Sequence, residues 1–429
     1  MEYYVENRQT PIIGSYDVIV AGGGPAGIGA ALAAARHGKS VLLVEQYGFL
    51  GGMWTAGLVT PIWDWENKGG IVQELVDGIN EMGMNEYAGP LYTFDIEAMK
   101  LLLDRKMKQS GVKVLFHTYI CDVMMDNNTV KGIIVENKSG RSAYSAGIVI
   151  DCTGDGDAAA RAGAQYKVGR ESDGAVQPMS LMFKIGNMDY IQEMEHFPVP
   201  IEYTELFYHM QLAAKRHGLD DYEFNFQRPY ILKLPTMHQG IAEMTHIRNR
   251  NPLDAEDLSA AEIEGRELVA EAMRFFTSYM PQFKYAFLEQ TAPQVGIRES
   301  RRILGEYILS IDDILKGAKF NDGITICEFN VDIHQPDGNS QEGWKYVHRP
   351  YHIPYRSLIP LKIENILVAG RCISGTYEAH ASYRVTGDCV AMGQAAGTAA
   401  ALCLDHKTTP RQLDGATVAQ VMRQDGAKN

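Results

Sequence analysis

Residues 17–45 read DVIVAGGGPAGIGAALAAARHGKSVLLVE, and their order decides the fold. An apolar run, Val18 to Ala21, reads as a buried parallel strand. A glycine turn follows, then a helix of small residues over about 26–36 and a second strand over 40–44 that ends in an acid. Gly22, Gly24 and Gly27 form G-x-G-x-x-G. The first glycine permits the tight turn, the second lets backbone approach a pyrophosphate, and the third lets helix pack on strand. Free N–H groups and the positive end of the helix dipole then hold the phosphates. Glu45 stands roughly 20 residues further on, where a carboxylate accepts the ribose hydroxyls. A glycine triplet alone is weak evidence, but strand, turn, helix, strand and acid in this spacing point to a bound dinucleotide.

The 429 residues can bury a large core, and their number suggests two or three domains. A formal net charge of −13 argues against nucleic acid or an anionic membrane as partner. No run is apolar for the ~20 residues a bilayer span needs, and the start MEYYVENRQTPIIGSY lacks the basic-then-apolar pattern of a secretory signal. A cytoplasmic protein is expected. The 6 cysteines are scattered without a C-x-x-C, which disfavours a zinc site, a cluster or a disulfide framework.

Working outward, QYGFLGGMWTAGLVTPIWDW follows the acid, and its glycines at 51, 52 and 57 suggest a second close approach to the same ligand. Residues 95–108 have helical spacing. Several short strands then suggest an antiparallel meander inserted between parallel strands, the last running from Ala146 to Asp151 into Thr153-Gly154-Asp155-Gly156. From about Tyr166 the texture changes to longer loops and aromatics. A strand is expected over 180–185, and residues 190–250 show no clear period. Ser259 and Glu262 form a capping-box pattern that predicts a helix from there to about Tyr279. Near the end, a buried strand over 366–369 reaches Gly370, and a Gly- and Ala-rich helix is expected over 386–404. The fold class is thus α/β: a discontinuous Rossmann-like domain, residues 1–165 and 355–429, around a mixed α+β cap over 166–354.

These pieces resemble the FAD-dependent oxidoreductase family, with its glutathione-reductase-like FAD-binding fold. The matching motifs are AGGGPAGIGAALAAAR with Glu45, GGMWTAGLV, IDCTGDGDAAARAGA, VGIRESRRILGEYILS, DIHQP, IPYRSLIP, and AGRCISGTYEAHASYRV with GQAAGTAAAL. They run in one order over about 17–405. The resemblance implies FAD, with its flavin ring against the last long helix. Expected cofactor contacts are Gly22, Gly24, Pro25, Ala26 and Gly27 at the turn, then Glu45, Gln46, Gly51, Gly52 and Met53. Thr153, Gly154, Asp155, Gly370, Arg371, Thr386 and Gly387 complete the set. Gly387 departs from the family, where proline often opens this helix. The extra glycine sites favour FAD over NAD independently, and no second G-x-G-x-x-G unit with an acid is present for a nicotinamide dinucleotide.

Hydride transfer to a flavin builds negative charge on its pyrimidine edge, which calls for positive potential there. A helix N-terminus near Thr386 supplies about half a charge through its dipole, and Arg384 a full one, unless it is tied into an ion pair. In the same loop, His380 is the first choice for general acid or base, because its ordinary pKa near ~6.5 suits both directions; a merely packed histidine is the rival. His352, Tyr355 and Arg356 form a second polar group beside Pro350, Pro354 and Pro360. Tyr355 could share proton transfer and Arg356 could orient an anionic oxygen. Arg298, Arg301 and Arg302, with Glu299 and Glu306, read as an interdomain ion-pair network more than as substrate contacts. Asp332 and His334 could share a strand face as ligands, but no further ligands fit the spacing, so no metal is expected. Cys372 reads as a buried thiol. The expectation is an oxidoreductase acting on a small polar, in one option anionic, substrate in the interdomain cleft. An electron-transfer subunit and a redox-neutral flavoprotein remain open, as does a homo-oligomer.

Overall fold

In the computed structural model, which describes residues 2–88, 91–187, 204–342 and 349–429, the apolar half of the first strand sits at the centre of the molecule. Strand β1 (Ile12–Ala21) is exposed over its first residues and fully buried from Val18. It leads through the glycine turn into α1 (Pro25–Arg36) and β2 (Val41–Val44). Helices α2 (Gly70–Glu81) and α3 (Ile96–Gln109) follow, then β3 (Lys113–Leu115), β4 (Tyr119–Asp126), β5 (Thr129–Asn137) and β6 (Gly140–Asp151). Strands β4 to β6 are the expected meander, antiparallel throughout.

The second layer begins with β7 (Phe183–Gly186), α4 (Glu205–Arg216), β8 (Tyr230–Lys233) and β9 (Gln239–Glu243). It closes with α5 (Ala255–Tyr279) and β10 (Phe287–Thr291). The order β8-β9-β7-β10 makes an antiparallel sheet over its own apolar core, from Met179 to Ile297 with Leu58 and Ile96. The chain then returns through β11 (Gly323–Cys327), β12 (Tyr351–Pro354), β13 (Ile366–Val368), α6 (Tyr377–Tyr383) and α7 (Thr386–His406). Strand β13 adds to β6 in parallel, so the parallel part of the main sheet runs β3-β2-β1-β6-β13.

Two expectations need correction. The long helix opens at Ala255, four residues before Ser259, because Asp254 caps it by accepting from the Glu256 and Asp257 N–H groups. Ser259 instead bonds back to the Ala255 carbonyl, and Glu262 accepts from Val295 N. The boundary at 354 falls too late, since Ile303, Leu309, Ile324, Val331 and Ile353 pack in the first core. Of the stretch without a period, residues 190–203 lie outside the described residues, whereas α4 and the edge of the second sheet occupy the rest.

Helices α1 and α7 cross at backbone contact. A Cβ on Gly393 would stand 1.9 Å from the Ala26 carbonyl oxygen, one on Gly29 2.2 Å from that of Val390, and one on Gly397 2.2 Å from that of Ala30. Only glycine lets the helices come this close, and the crossing brings the N-terminus of each to the same side of the sheet.

Candidate cofactor and substrate site

The carboxyl ends of β1, β2, β6 and β13 open into one cavity of about 970 Å³, at the upper end of the ~300–1,000 Å³ usual for cofactor and small-molecule sites. The first core supplies one wall and the second sheet the other. At the glycine turn, Gly22 N donates to Val44 O at 2.8 Å and Gly23 N to Glu45 Oε2 at 2.7 Å. Glu45 Oε1 accepts from Tyr47 N at 2.9 Å. Burial pushes the Glu45 carboxyl up in pKa, and the Tyr47, Gly23 and Gln46 N–H groups pull it back.

The turn fits a dinucleotide. No side chain caps α1, whose N-cap is Gly24, so its first N–H groups face the cavity as helix-end donors. A Cβ at Gly24 would meet protein only at 3.7 Å, from Gly52 Cα, and would stand in the space a pyrophosphate needs; one at Gly27 would lie 1.9 Å from Gly22 O. The two glycines therefore differ in kind: Gly27 is required by the packing of helix on turn, whereas no protein atom presses on Gly24, which faces the open cavity.

Of the expected cofactor contacts, Gly22, Gly24, Pro25, Ala26, Glu45, Gln46, Gly52, Met53, Thr153, Gly154, Asp155, Gly370, Arg371 and Thr386 all line this cavity. Three do not. Gly27 is packed against the turn, and Gly51 braces it from behind through Gly51 N to Gly23 O at 2.9 Å. Gly387 gives its N–H to Trp63 O at 3.0 Å, and a Cβ there would be 2.4 Å from that oxygen. The Trp63 carbonyl thus accounts for the glycine in place of proline: this chain needs both the space and the N–H.

The catalytic expectations fare differently. Arg384 lines the cavity, held by Nη2 to Asp332 O at 2.8 Å and Nη1 to Arg298 O at 3.2 Å. His380 does not: it is fully buried beneath α6, and neither ring nitrogen has a hydrogen-bond partner among the described residues. Burial, then Arg384, Arg302 and Arg371, pull its pKa well below the usual value. Tyr355 spends its hydroxyl on Pro410 O at 2.9 Å, and Arg356 its guanidinium on Asp322, Nε to Oδ2 at 2.9 Å. His352 Nδ1 accepts from Phe320 N at 3.2 Å. None of these four reaches the cavity, so the structure withdraws them as acid, base or anion anchor. Sequence proximity to Arg384 misled for His380, because His380 lies inside α6 with its ring packed in the core, whereas Arg384 is the residue that ends the helix.

His380 carries a testable consequence. Below the ordinary histidine pKa of about 6.5 the unfolded chain takes up a proton there that the folded chain refuses, so stability falls as pH drops through that value. His380→Leu is expected to reduce this dependence between pH 7 and 5, by up to ~1.4 kcal/mol per pH unit. Urea unfolding across that range checks it; a slope equal to wild type would refute the assignment.

In their place the cavity wall holds Arg298, Arg384, Glu243, Asp332 and His334. Arg298 is ion-paired to Glu243 and donates through Nη1 to Pro178 O and Ser180 Oγ, both at 2.8 Å. Burial, then Arg384, lowers its pKa to about 10. Burial alone would raise the Asp332 carboxyl, but His334 and Arg384 beside it hold it below the usual range. His334 is lowered to about 4, by burial first and then by Arg298. Arg384 is itself ion-paired, with Asp332 at 3.4 Å, the alternative its sequence position left open, and the other two arginines likewise: Arg302 with Glu299, and Arg301 with Asp157 at 2.9 Å. Arg371 bonds Asp155 at 2.7 Å. Cys372 is fully buried, and burial pushes its thiol well up.

The sequence matches the family model described as FAD dependent oxidoreductase over residues 17–422. It is similar to the thiamine thiazole synthase of Aeropyrum pernix, 35% identical over 123 residues, 28% of this chain and 43% of that protein. The chain spans about half the length of the curated relatives it matches. Among solved structures, a triple mutant of the flavin-dependent brominase Bmp2 has a TM-score of 0.53 at 13% identity, covering 95% of this chain and 84% of that one. A geranylgeranyl bacteriochlorophyll reductase-like protein from Thermoplasma acidophilum has a TM-score of 0.50 at 13% identity, covering 96% and 83%. At such identities the likeness is one of fold.

Proposed function

Because the chain belongs to the FAD dependent oxidoreductase family, we propose that it oxidises or reduces a small anionic organic substrate held by Arg298 and Arg384 where the cavity passes between the two cores. The observation that carries this reading is the continuity of one cavity from the glycine turn to this buried arginine pair. Bound there, FAD would supply a two-electron acceptor or donor.

The rest is done by the protein. Gly24 and the α1 N-terminus hold phosphate, Glu45 takes ribose hydroxyls, and Thr386 presents the positive end of α7. Asp388, in the first turn of α7, would weaken that positive end, but Lys68 pairs with it at 2.9 Å. Arg298 and Arg384 present positive charge to a carboxylate, and each would donate to it by exchanging a present carboxylate partner, Glu243 for Arg298 and Asp332 for Arg384. Both are mostly covered, with side-chain exposures of 12% and 10%, and braced, so little side-chain entropy is lost when they engage it. Met182, Ile297 and Val59 add apolar surface to the cavity wall.

Anaerobic addition of hydroxy acids, oxo acids, amino acids and sugars should bleach the visible flavin band with an anionic member and not with neutral ones. No bleaching by any of them, with FAD bound, would remove the proposal. Arg384→Met is expected to weaken binding of the active compound about 10- to 100-fold, the loss of ~1.5–3 kcal/mol from a charge-assisted contact, with FAD content retained. A second reading follows from the similarity to a thiazole synthase over 28% of the chain: product formation with no net change in the flavin band would favour synthase chemistry.

A further inference from the structure

With His380 and Tyr355 withdrawn, the ionisable groups left around the buried arginines include Glu243, His246 and His334. One ligand atom from each lies within 4.8 Å of the others, and all three residues are buried. His246 Nε2 and His334 Nδ1 stand 2.8 Å apart, a separation that two imidazoles share either across one proton or as adjacent ligands about one ion. The opposite nitrogen of His334, Nε2, faces Asp332 Oδ2 at 3.4 Å. A carboxylate behind the far ring nitrogen is the arrangement that orients a metal-bound histidine. His246 Nδ1 has no hydrogen-bond partner among the described residues, so the ring is not fixed by protein bonds on both sides. Burial keeps both imidazoles neutral, the form that ligates.

We propose that Glu243, His246 and His334 bind a divalent transition-metal ion whose remaining positions open into the substrate end of the cavity. Two imidazoles and one carboxylate suit iron(II), cobalt(II) or zinc(II) over magnesium or calcium, and three protein ligands with an open side are the pattern of a site that also binds substrate or water. The reading rests on the proposed substrate site and deepens it. Glu243 and Asp332 balance Arg298 and Arg384, so an added dication leaves two positive charges for an anionic substrate to meet. Arg298 must release Glu243, yet it keeps its bonds to Pro178 O and Ser180 Oγ. The other buried grouping with ligand-like spacing, Asp64, Cys327 and Asp388, already holds the Lys68 ammonium, 2.8 Å from Asp64 and 2.9 Å from Asp388. The sequence hid the site, because Glu243 ends β9 and His246 follows it in the next loop while His334 comes from a loop of the first core.

The test uses full-length, FAD-loaded protein stripped with chelator and dialysed against cobalt(II). About one cobalt per chain is expected, with His246→Gln and His334→Gln each reducing it at least tenfold and His352→Gln leaving it unchanged. X-ray absorption at the cobalt edge of the unmutated protein should show two imidazole nitrogens in the first shell. No stoichiometric cobalt, retention by both variants, or an all-oxygen shell overturns the proposal. Absorption by the unmutated protein does not depend on how the variants fold, and metal content is read apart from flavin bleaching. A chain that binds cobalt but whose flavin no substrate bleaches would keep the metal and lose the oxidoreductase reading.

Discussion

Gly393→Ala is expected to yield a colourless protein that takes up FAD at least about 100-fold more weakly than wild type. The added methyl would stand 1.9 Å from the Ala26 carbonyl oxygen, well inside contact distance. In an isolated helix this change would stabilise by about 1 kcal/mol. Overpacking costs ~1–3 kcal/mol and sometimes more, and here the opposing atom is backbone on a second helix that cannot rotate away. The clash therefore wins, and it is relieved only by separating α1 from α7. The N-terminal residues of both helices, Pro25 and Ala26 on α1 and Thr386 on α7, line the one cavity, so separation spoils both sides of it together. FAD content after purification and isothermal titration with added FAD would decide it; wild-type affinity would show that the crossing tolerates a methyl group.

Lys68→Met should cost about 3–5 kcal/mol of stability, the range for stranding one side of a buried ion pair. Lys68, Asp64 and Asp388 have side-chain exposures of 0%, 6% and 0%, and two carboxylates hold the ammonium in its charged form despite burial. Methionine fills the stem but leaves both acids in the core without a cation. Asp388→Asn added to this change should recover part of the loss. Chemical denaturation of the three proteins measures it, and a loss below ~1 kcal/mol for the single variant would mean water enters the cluster.

The nucleotide half of the molecule was legible because its chemistry is local. Gly22, Gly24, Gly27 and Glu45 act within one strand-turn-helix-strand unit, so their spacing is their geometry. The meander and the glycine-crowded α7 were readable for the same reason. The substrate half was not. Arg298, Glu243 and His334 meet only after the second sheet folds over the first core, and nothing in their spacing announces it. His380 and Tyr355 looked functional by nearness to glycines and prolines, but a side chain's direction depends on helix phase and on packing that the sequence does not spell out. The helix at Ala255 began early because Asp254, a better cap than Ser259 in that context, lay just upstream.

The α1–α7 crossing also bears on how the holoprotein is made. The two partners lie far apart in sequence, Pro25–Arg36 and Thr386–His406, so the glycine turn is synthesised long before its packing neighbour. Contacts of such separation form late and slowly. Until α7 is made and packed, the turn therefore lacks the wall that completes its cavity, and a chain interrupted before α7 is expected to hold no flavin.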